Sequence, residues 1–140
     1  DVPNSALYPF GYGMTYSTIT YSATSVNAAT TSARDLNAGS AKLTVSAEVR
    51  NTGSRPADEV VQLYIRQTGT SVVRPVRELK GFKRITLASG QSQKVEFTLG
   101  GDELRFWNIE MKDIVEPAQL TVWVAPDSTG GKPAQVSIGQ

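Results

Sequence analysis

KLTVSAEVR, residues 42–50, alternates without a fault: Leu43, Val45, Ala47 and Val49 fall on one side, and Lys42, Thr44, Ser46, Glu48 and Arg50 on the other. A repeat of two is what an extended chain needs to bury one face and wet the other; helical winding would scatter the same residues around a cylinder. The stretch therefore predicts a half-buried strand. NTGSRPAD (51–58) follows, with Asn, Gly and Pro at turn positions, and EVVQLYIRQ (59–67) resumes the alternation through Val61, Leu63 and Ile65. Together they predict two antiparallel strands joined by a loop.

The same reading extends outward. STITYSATSVN (17–27), rich in Thr and β-branched residues, supplies a first strand. ELKGFKRITL (78–87) is a weaker strand, ASGQ (88–91) a turn, and QKVEFTL (93–99) alternates through Val95, Phe97 and Leu99. QLTVWVA (119–125) alternates through Leu120, Val122 and Val124, and AQVSIGQ (134–140) closes the set. No segment keeps a helical period over three turns; DELRFWN (102–108) has room for one short turn at most. About seven short strands separated by turn signals predict an all-β chain, a β-sandwich of the immunoglobulin or fibronectin type III kind, with a barrel as the alternative. Residues 1–16 read as an N-terminal linker extension and 17–140 as the sandwich. The connections 28–41, 68–77 and 100–118 are longer than a minimal sandwich needs, and long connections are often functional or packed on a neighbour.

Composition narrows the function. The 140 residues with 39% hydrophobic content suit a single core. A net charge of +1 from 14 basic and 13 acidic residues gives no field to favour nucleic acid or an anionic membrane. The absence of Cys and His removes disulfides, thiolate metal sites and the usual base at physiological pH. No apolar run approaches the roughly 20 residues that span a bilayer. The opening DVPNSALYP lacks an initiator Met and reads as polar linker, which predicts a piece of a longer polypeptide.

Candidate chemistry is sparse. The acidic pairs Asp58-Glu59 and Asp102-Glu103 sit at strand or turn edges, where solvated charges that deter edge pairing are the expected reading. Serine without a His or Cys partner builds no nucleophile–base arrangement, and no G-x-S-x-G elbow occurs. Asp113 and Glu116 lack the Asp-x-Asp-x-Asp-Gly spacing of a calcium loop. No catalytic residue, cofactor or metal is therefore predicted. Trp123 occupies the off-register position of LTVWV and should face outward, able to stack on a sugar or pack under a loop or another domain; packing is the favoured reading. Trp107, beside Phe106, is expected to anchor its long connection onto the sandwich. Lys80, Lys83 and Arg84 with Arg74 and Arg77 form a basic stretch interrupted by Glu78, which predicts a solvated or interdomain face.

Several stretches in order resemble one family, the C-terminal fibronectin type III-like domain of glycoside hydrolase family 3 β-glucosidases, especially bacterial periplasmic ones. YPFGYGMTYS (8–17) resembles the family's Pro-Phe-Gly-Tyr-Gly-Leu-Ser-Tyr junction; VRNTG (49–53), EVVQLYI (59–65) and RPVRELKGF (74–82) resemble its next signatures. FWN (106–108) and VEP (115–117) fit the region before the penultimate strand. Ser89-Gly90-Gln91 stands where the family commonly has Pro-Gly-Glu, and Glu116-Pro117-Ala118 where it commonly has Glu-Pro-Gly; if that Gly needs φ > 0, Ala118 implies strain or a different turn. The resemblance implies a parent enzyme, periplasmic or secreted, that hydrolyses terminal β-glucosyl or xylosyl units with retention and without a cofactor. Its catalytic residues would lie upstream, leaving this chain non-catalytic, with the parent's catalytic domains as partner. It further implies that Tyr8, Phe10, Tyr12 and Tyr16, with Gly11 and Gly13, wedge into the interdomain joint. Arg74 and Pro75, in the loop 68–77, are the second expected contact, toward a neighbouring domain or the rim of the substrate cleft. A carbohydrate- or polymer-binding module, with polysaccharide as partner and Trp123 in contact, is the alternative function.

Overall fold

The computed structural model describes residues 19–72 and 77–140. Within them the chain forms β1 (Ile19–Tyr21), β2 (Ser25–Val26), β3 (Thr30–Ser32), α1 (Ala33–Ala38), β4 (Leu43–Asn51), β5 (Ala57–Thr68) and β6 (Glu78–Leu87). These are followed by β7 (Ser92–Leu99), α2 (Gly101–Leu104), β8 (Phe106–Trp107), β9 (Asp113–Ile114), β10 (Ala118–Ala125) and β11 (Ala134–Gly139). One sheet has β4 at its centre: β7 pairs along one edge, and β1 and β2 share the other. The second sheet runs β3-β11-β10-β5-β6, with β3 parallel to β11 and the remaining pairs antiparallel. The sheets do not close into a barrel.

The alternating residues meet between the sheets. Leu43, Val45 and Val49 of β4, Leu99 of β7, Val61, Leu63 and Ile65 of β5, and Leu120, Val122 and Val124 of β10 are each at most 1% exposed. Val136 and Ile138 of β11 and Val95 and Phe97 of β7 complete the core. Each such side chain contributes roughly 1.5–3 kcal/mol by leaving water, which is what holds two otherwise separate sheets face to face.

The predicted first strand is broken in two because at Ser22 a side chain takes the place of the backbone acceptor toward β4, and Thr24 leaves that sheet. Ser22 Oγ accepts from the Glu48 amide at 2.8 Å, while Thr24 turns to the other sheet, its amide donating to Lys132 O at 3.1 Å and its hydroxyl accepting from Val124 N at 3.0 Å. The connection 28–41 holds β3 and α1; Ser32 Oγ accepts from Asp35 N, and Gly39, at φ 80°, ends the helix in the left-handed conformation. Asn51, fully buried, ties two turns at once: its Nδ2 donates to Arg55 O at 2.7 Å and Leu87 O at 3.1 Å, and its Oδ1 accepts from Gly53 N at 2.9 Å.

At the same end of the sandwich one acidic residue departs from expectation. Asp58 is exposed and accepts from the Thr86 hydroxyl, but Glu59 is only 7% exposed, because the core-facing register of Ala57, Val61 and Leu63 carries it inward. The Tyr21 hydroxyl, from the facing sheet, donates to Glu59 Oε2 at 2.6 Å. Burial pushes the Glu59 carboxyl above the usual carboxylate range; the Tyr21 hydrogen bond opposes that shift, and the charge of Asp127, from the connection after β10, adds to it. Burial also pushes the Tyr21 hydroxyl far up, so it stays protonated as the donor.

Two outcomes follow for the isolated chain. Leu63→Ala should lose roughly 2–5 kcal/mol in urea denaturation, whereas Phe82→Ala, at a 67% exposed position, should lose less than about 1 kcal/mol. Because the Glu59 pKa is raised on folding, its favourable contribution is complete below the ordinary Glu range and disappears as pH rises through the folded value. Glu59→Gln keeps an acceptor for Tyr21 and removes the charge. Its melting temperature should therefore exceed that of the parent sequence at neutral pH, and the gap should close as pH falls toward about 4.

Candidate contact surface

The outward face of β5 and β10 is the first candidate. Since Val61, Leu63 and Ile65 point inward, Gln62 and Tyr64 point out; the same parity on β10 turns Trp123 out, directly opposite Tyr64. Trp123 is half-buried there, not bare. The Arg77 guanidinium lies 4.0 Å from the Trp123 ring centroid and 5.8 Å from that of Tyr64, and its Nη1 donates to Gly130 O at 3.0 Å. Tyr64 donates its hydroxyl to Gln62 Oε1, and Gln62 Nε2 donates to Pro126 O at 3.1 Å. Burial lowers the Arg77 pKa, against the opposing pull of Tyr64 and Asp127, and burial raises the Tyr64 pKa, which keeps the phenol protonated as a donor. Gly131, at φ 85°, lets the following loop press against β10; a Cβ there would meet Ala125 Cβ at 2.9 Å. The ring face that sequence offers to a sugar or a neighbour is thus covered by an arginine of the same chain.

The second candidate lies at the opposite end, where β8 and β9 pair through Phe106↔Ile114 and Trp107↔Asp113. Here Phe106 is 5% exposed and Trp107 64%, so Phe106 anchors the connection and Trp107 does not. The correction is a matter of parity: adjacent residues of a ribbon lying on the body of the sandwich must point opposite ways. Ile109 and Met111, at 70% and 76% exposed, extend the apolar display around the turn. Asn108 holds that turn from beneath: 4% exposed, it accepts from Glu110 N at 2.9 Å and Lys112 N at 3.0 Å through Oδ1, while its carbonyl accepts from Met111 N at 2.9 Å.

Two clamps fix the ribbon to the neighbouring connections. Asn37 of α1 donates to Val115 O at 2.9 Å and accepts from Val115 N at 2.8 Å. Ser71 donates its amide to Glu116 Oε1 at 2.8 Å and its hydroxyl to Glu116 Oε2 at 2.7 Å, while accepting from Ile109 N at 3.2 Å. These donors hold the Glu116 carboxyl below its usual range, the Ser71 amide contributing most. With both oxygens so engaged, Glu116 is a structural acceptor, and no group of three or more metal-ligating side chains occurs among the described residues. Ala118 begins β10 without the left-handed backbone its family counterpart implied; Met111, at φ 62°, is the non-glycine residue that adopts it among the described residues.

The remaining expected contacts are dispersed or undescribed. Lys80 pairs with Glu78 at 3.1 Å, Lys83 lies over the Phe97 ring at 5.4 Å and Arg77 stacks on Trp123, so these three members of the basic stretch have separate partners within the chain. Tyr8, Phe10, Gly11, Tyr12, Gly13, Tyr16, Arg74 and Pro75 lie outside the described residues.

Comparison with known proteins places this fold. The fibronectin type III-like domain model matches residues 59–128. The chain is 41% identical over 128 residues to the periplasmic β-glucosidase of Salmonella typhimurium, covering 91% of this chain and 16% of that protein. It is also 41% identical over 132 residues to a β-xylosidase of Formosa agariphila, covering 94% of this chain and 17% of that protein. A β-glucosidase structure from Erythrobacter marinus superposes with a TM-score of 0.85 at 36% identity over 94% of this chain and 17% of its own. One from Listeria innocua, in complex with glucose, gives 0.84 at 30% identity over 100% of this chain and 18% of its own. The chain thus spans about a sixth of the length of the relatives it matches. It belongs to the fibronectin type III-like domain family and corresponds to one small part of larger β-glucosidases and β-xylosidases.

Proposed function

We propose that the chain is the non-catalytic C-terminal domain of a family 3 glycoside hydrolase, exported to the periplasm or beyond, and that it buttresses the domains that hydrolyse terminal β-D-glucosyl or related β-xylosyl units with retention. The observation that carries this reading is the asymmetry of the match: nearly all of this chain aligns, against a sixth of each relative. The residues agree with it. Retaining hydrolysis needs two carboxyl groups about 5 Å apart at a substrate cleft. Glu59 instead hydrogen-bonds a half-buried tyrosine, Glu116 a serine, and Asp58 a threonine. In the same reading, the aromatic segment Tyr8 to Tyr16 and the Arg74-Pro75 loop are the sequences offered to the joint. Export is supported by the name of one relative, the periplasmic β-glucosidase, and no helix of the described residues is long and apolar enough to cross a membrane.

A polymer-binding module is the weaker reading, because Arg77 covers the Trp123 ring that a sugar would stack on.

An antibody raised against the chain should detect, in its source cells, a polypeptide several-fold larger than 15.1 kDa; a band near that mass would refute the reading. In that larger polypeptide Leu63→Ala should lower β-glucosidase activity only in proportion to the folded fraction, with kcat/KM per folded molecule unchanged. Unchanged melting with abolished turnover would place the domain in the chemistry and overturn the assignment.

A further inference from the structure

We infer that the β8–β9 ribbon is a docking knob for the rest of the glycosidase polypeptide, an inference that rests on the reading above. Trp107, Ile109 and Met111 present three large apolar side chains to water on one short ribbon, at 64%, 70% and 76% exposure. Clustered apolar exposure of this kind marks a contact, and a contact gains most when its residues are already fixed before binding. Fixing is what the structure shows. Asn108 braces the turn from within, the Asn37–Val115 and Ser71–Glu116 clamps hold the chain just after β9, and Met111 is held in a backbone conformation that costs an L-residue energy. Glu110, Lys112 and Asp113 supply an exposed polar rim of mixed sign around the apolar centre.

The chemistry selects the occupant. A sugar face stacks on flat rings, whereas two of the three side chains here are aliphatic or thioether, which bury against protein. A second copy of the chain would have to be recruited from solution, without a covalent tether to raise its effective concentration. The greater part of each relative's length lies outside the portion this chain matches, and that polypeptide is tethered to the knob at high effective concentration. A hydrophobic recess on that larger part is the partner this surface fits.

The test is oxidation of Met111 by hydrogen peroxide, followed by peptide mass spectrometry, in the isolated chain and in the full-length polypeptide. Met111 should form its sulfoxide at least about tenfold more slowly in the full-length protein, as a contact closed roughly nine-tenths of the time or more requires. Trp107→Ser should leave the melting temperature of the isolated chain unchanged, lower that of the full-length protein, and restore the oxidation rate of Met111. Equal oxidation rates in the two proteins would overturn the knob; if Leu63→Ala still destabilised the full-length enzyme, the domain assignment would stand and only the docking face would be wrong. Slowing in the isolated chain that grows with its concentration would identify a second copy as the occupant and equally overturn the proposal.

Discussion

The structure depends on one strand that is buried on both faces. From Val61 to Ile65 five consecutive residues of β5 are at most 3% exposed, which is possible only with the facing sheet covering one side and the chain's own loops the other. The inward side is apolar and is satisfied by packing. The outward side carries Gln62 and Tyr64, whose polar atoms cannot be left unpaired out of water, because each would cost about 1–3 kcal/mol. Their partners are therefore fixed by necessity: Gln62 takes the Pro126 carbonyl, the phenol takes Gln62, and Arg77 covers the rings of Tyr64 and Trp123. The burial of a single strand thus dictates the path of the 126–131 loop and the entry into β6.

Much of this was legible from residue order because strand alternation is local information. A period of two in 42–50, 59–67, 93–99 and 119–125 is enough to name the core residues of those four strands, and they are buried as read. What escaped was decided at a distance. β3 is three residues that become a strand only by lying parallel to β11, more than a hundred positions later. β8 and β9 are two residues each, and α1 is six, too short for a periodic signal and held by caps and tertiary contacts. Glu59 and Trp107 were misread for a related reason: chemical type was weighed above parity. Counting by twos from Val61 reaches Glu59, and counting one past the anchored Phe106 leaves Trp107 outside. Asn51 and Asn108 carried a usable signal, each an Asn at a turn, but their side-chain hydrogen bonds to the backbone appear only when the turn is seen.

The two ends of the sandwich are closed by different means, and the difference bears on function. At the end bearing Tyr21 and Glu59, short turns are locked by one buried asparagine and by a buried acid that accepts from a half-buried phenol. At the other, the long connections do the closing, and they do it by gripping one another: Gly101 lets α2 approach so near that a Cβ would stand 2.3 Å from the Leu36 carbonyl of α1. Asn37 grips Val115, Ser71 grips Glu116, and Gln67 donates to the Leu104 carbonyl at 3.2 Å.

Such interlocking changes what the long connections can be. A loop that is long merely because length is tolerated would cost little entropy and would need no partners. These loops instead make side-chain to backbone hydrogen bonds across separations of 37 to 78 residues, so their ordering is maintained against chain entropy of about 1–2 kcal/mol per residue. The same assembly leaves Trp107, Ile109 and Met111 facing water, although Phe106 and Val115, their neighbours in sequence, are buried. If the docking proposal holds, a braced ribbon that shelters the smaller aromatic and presents the larger one is the physical sense in which a domain without catalytic residues still has a site.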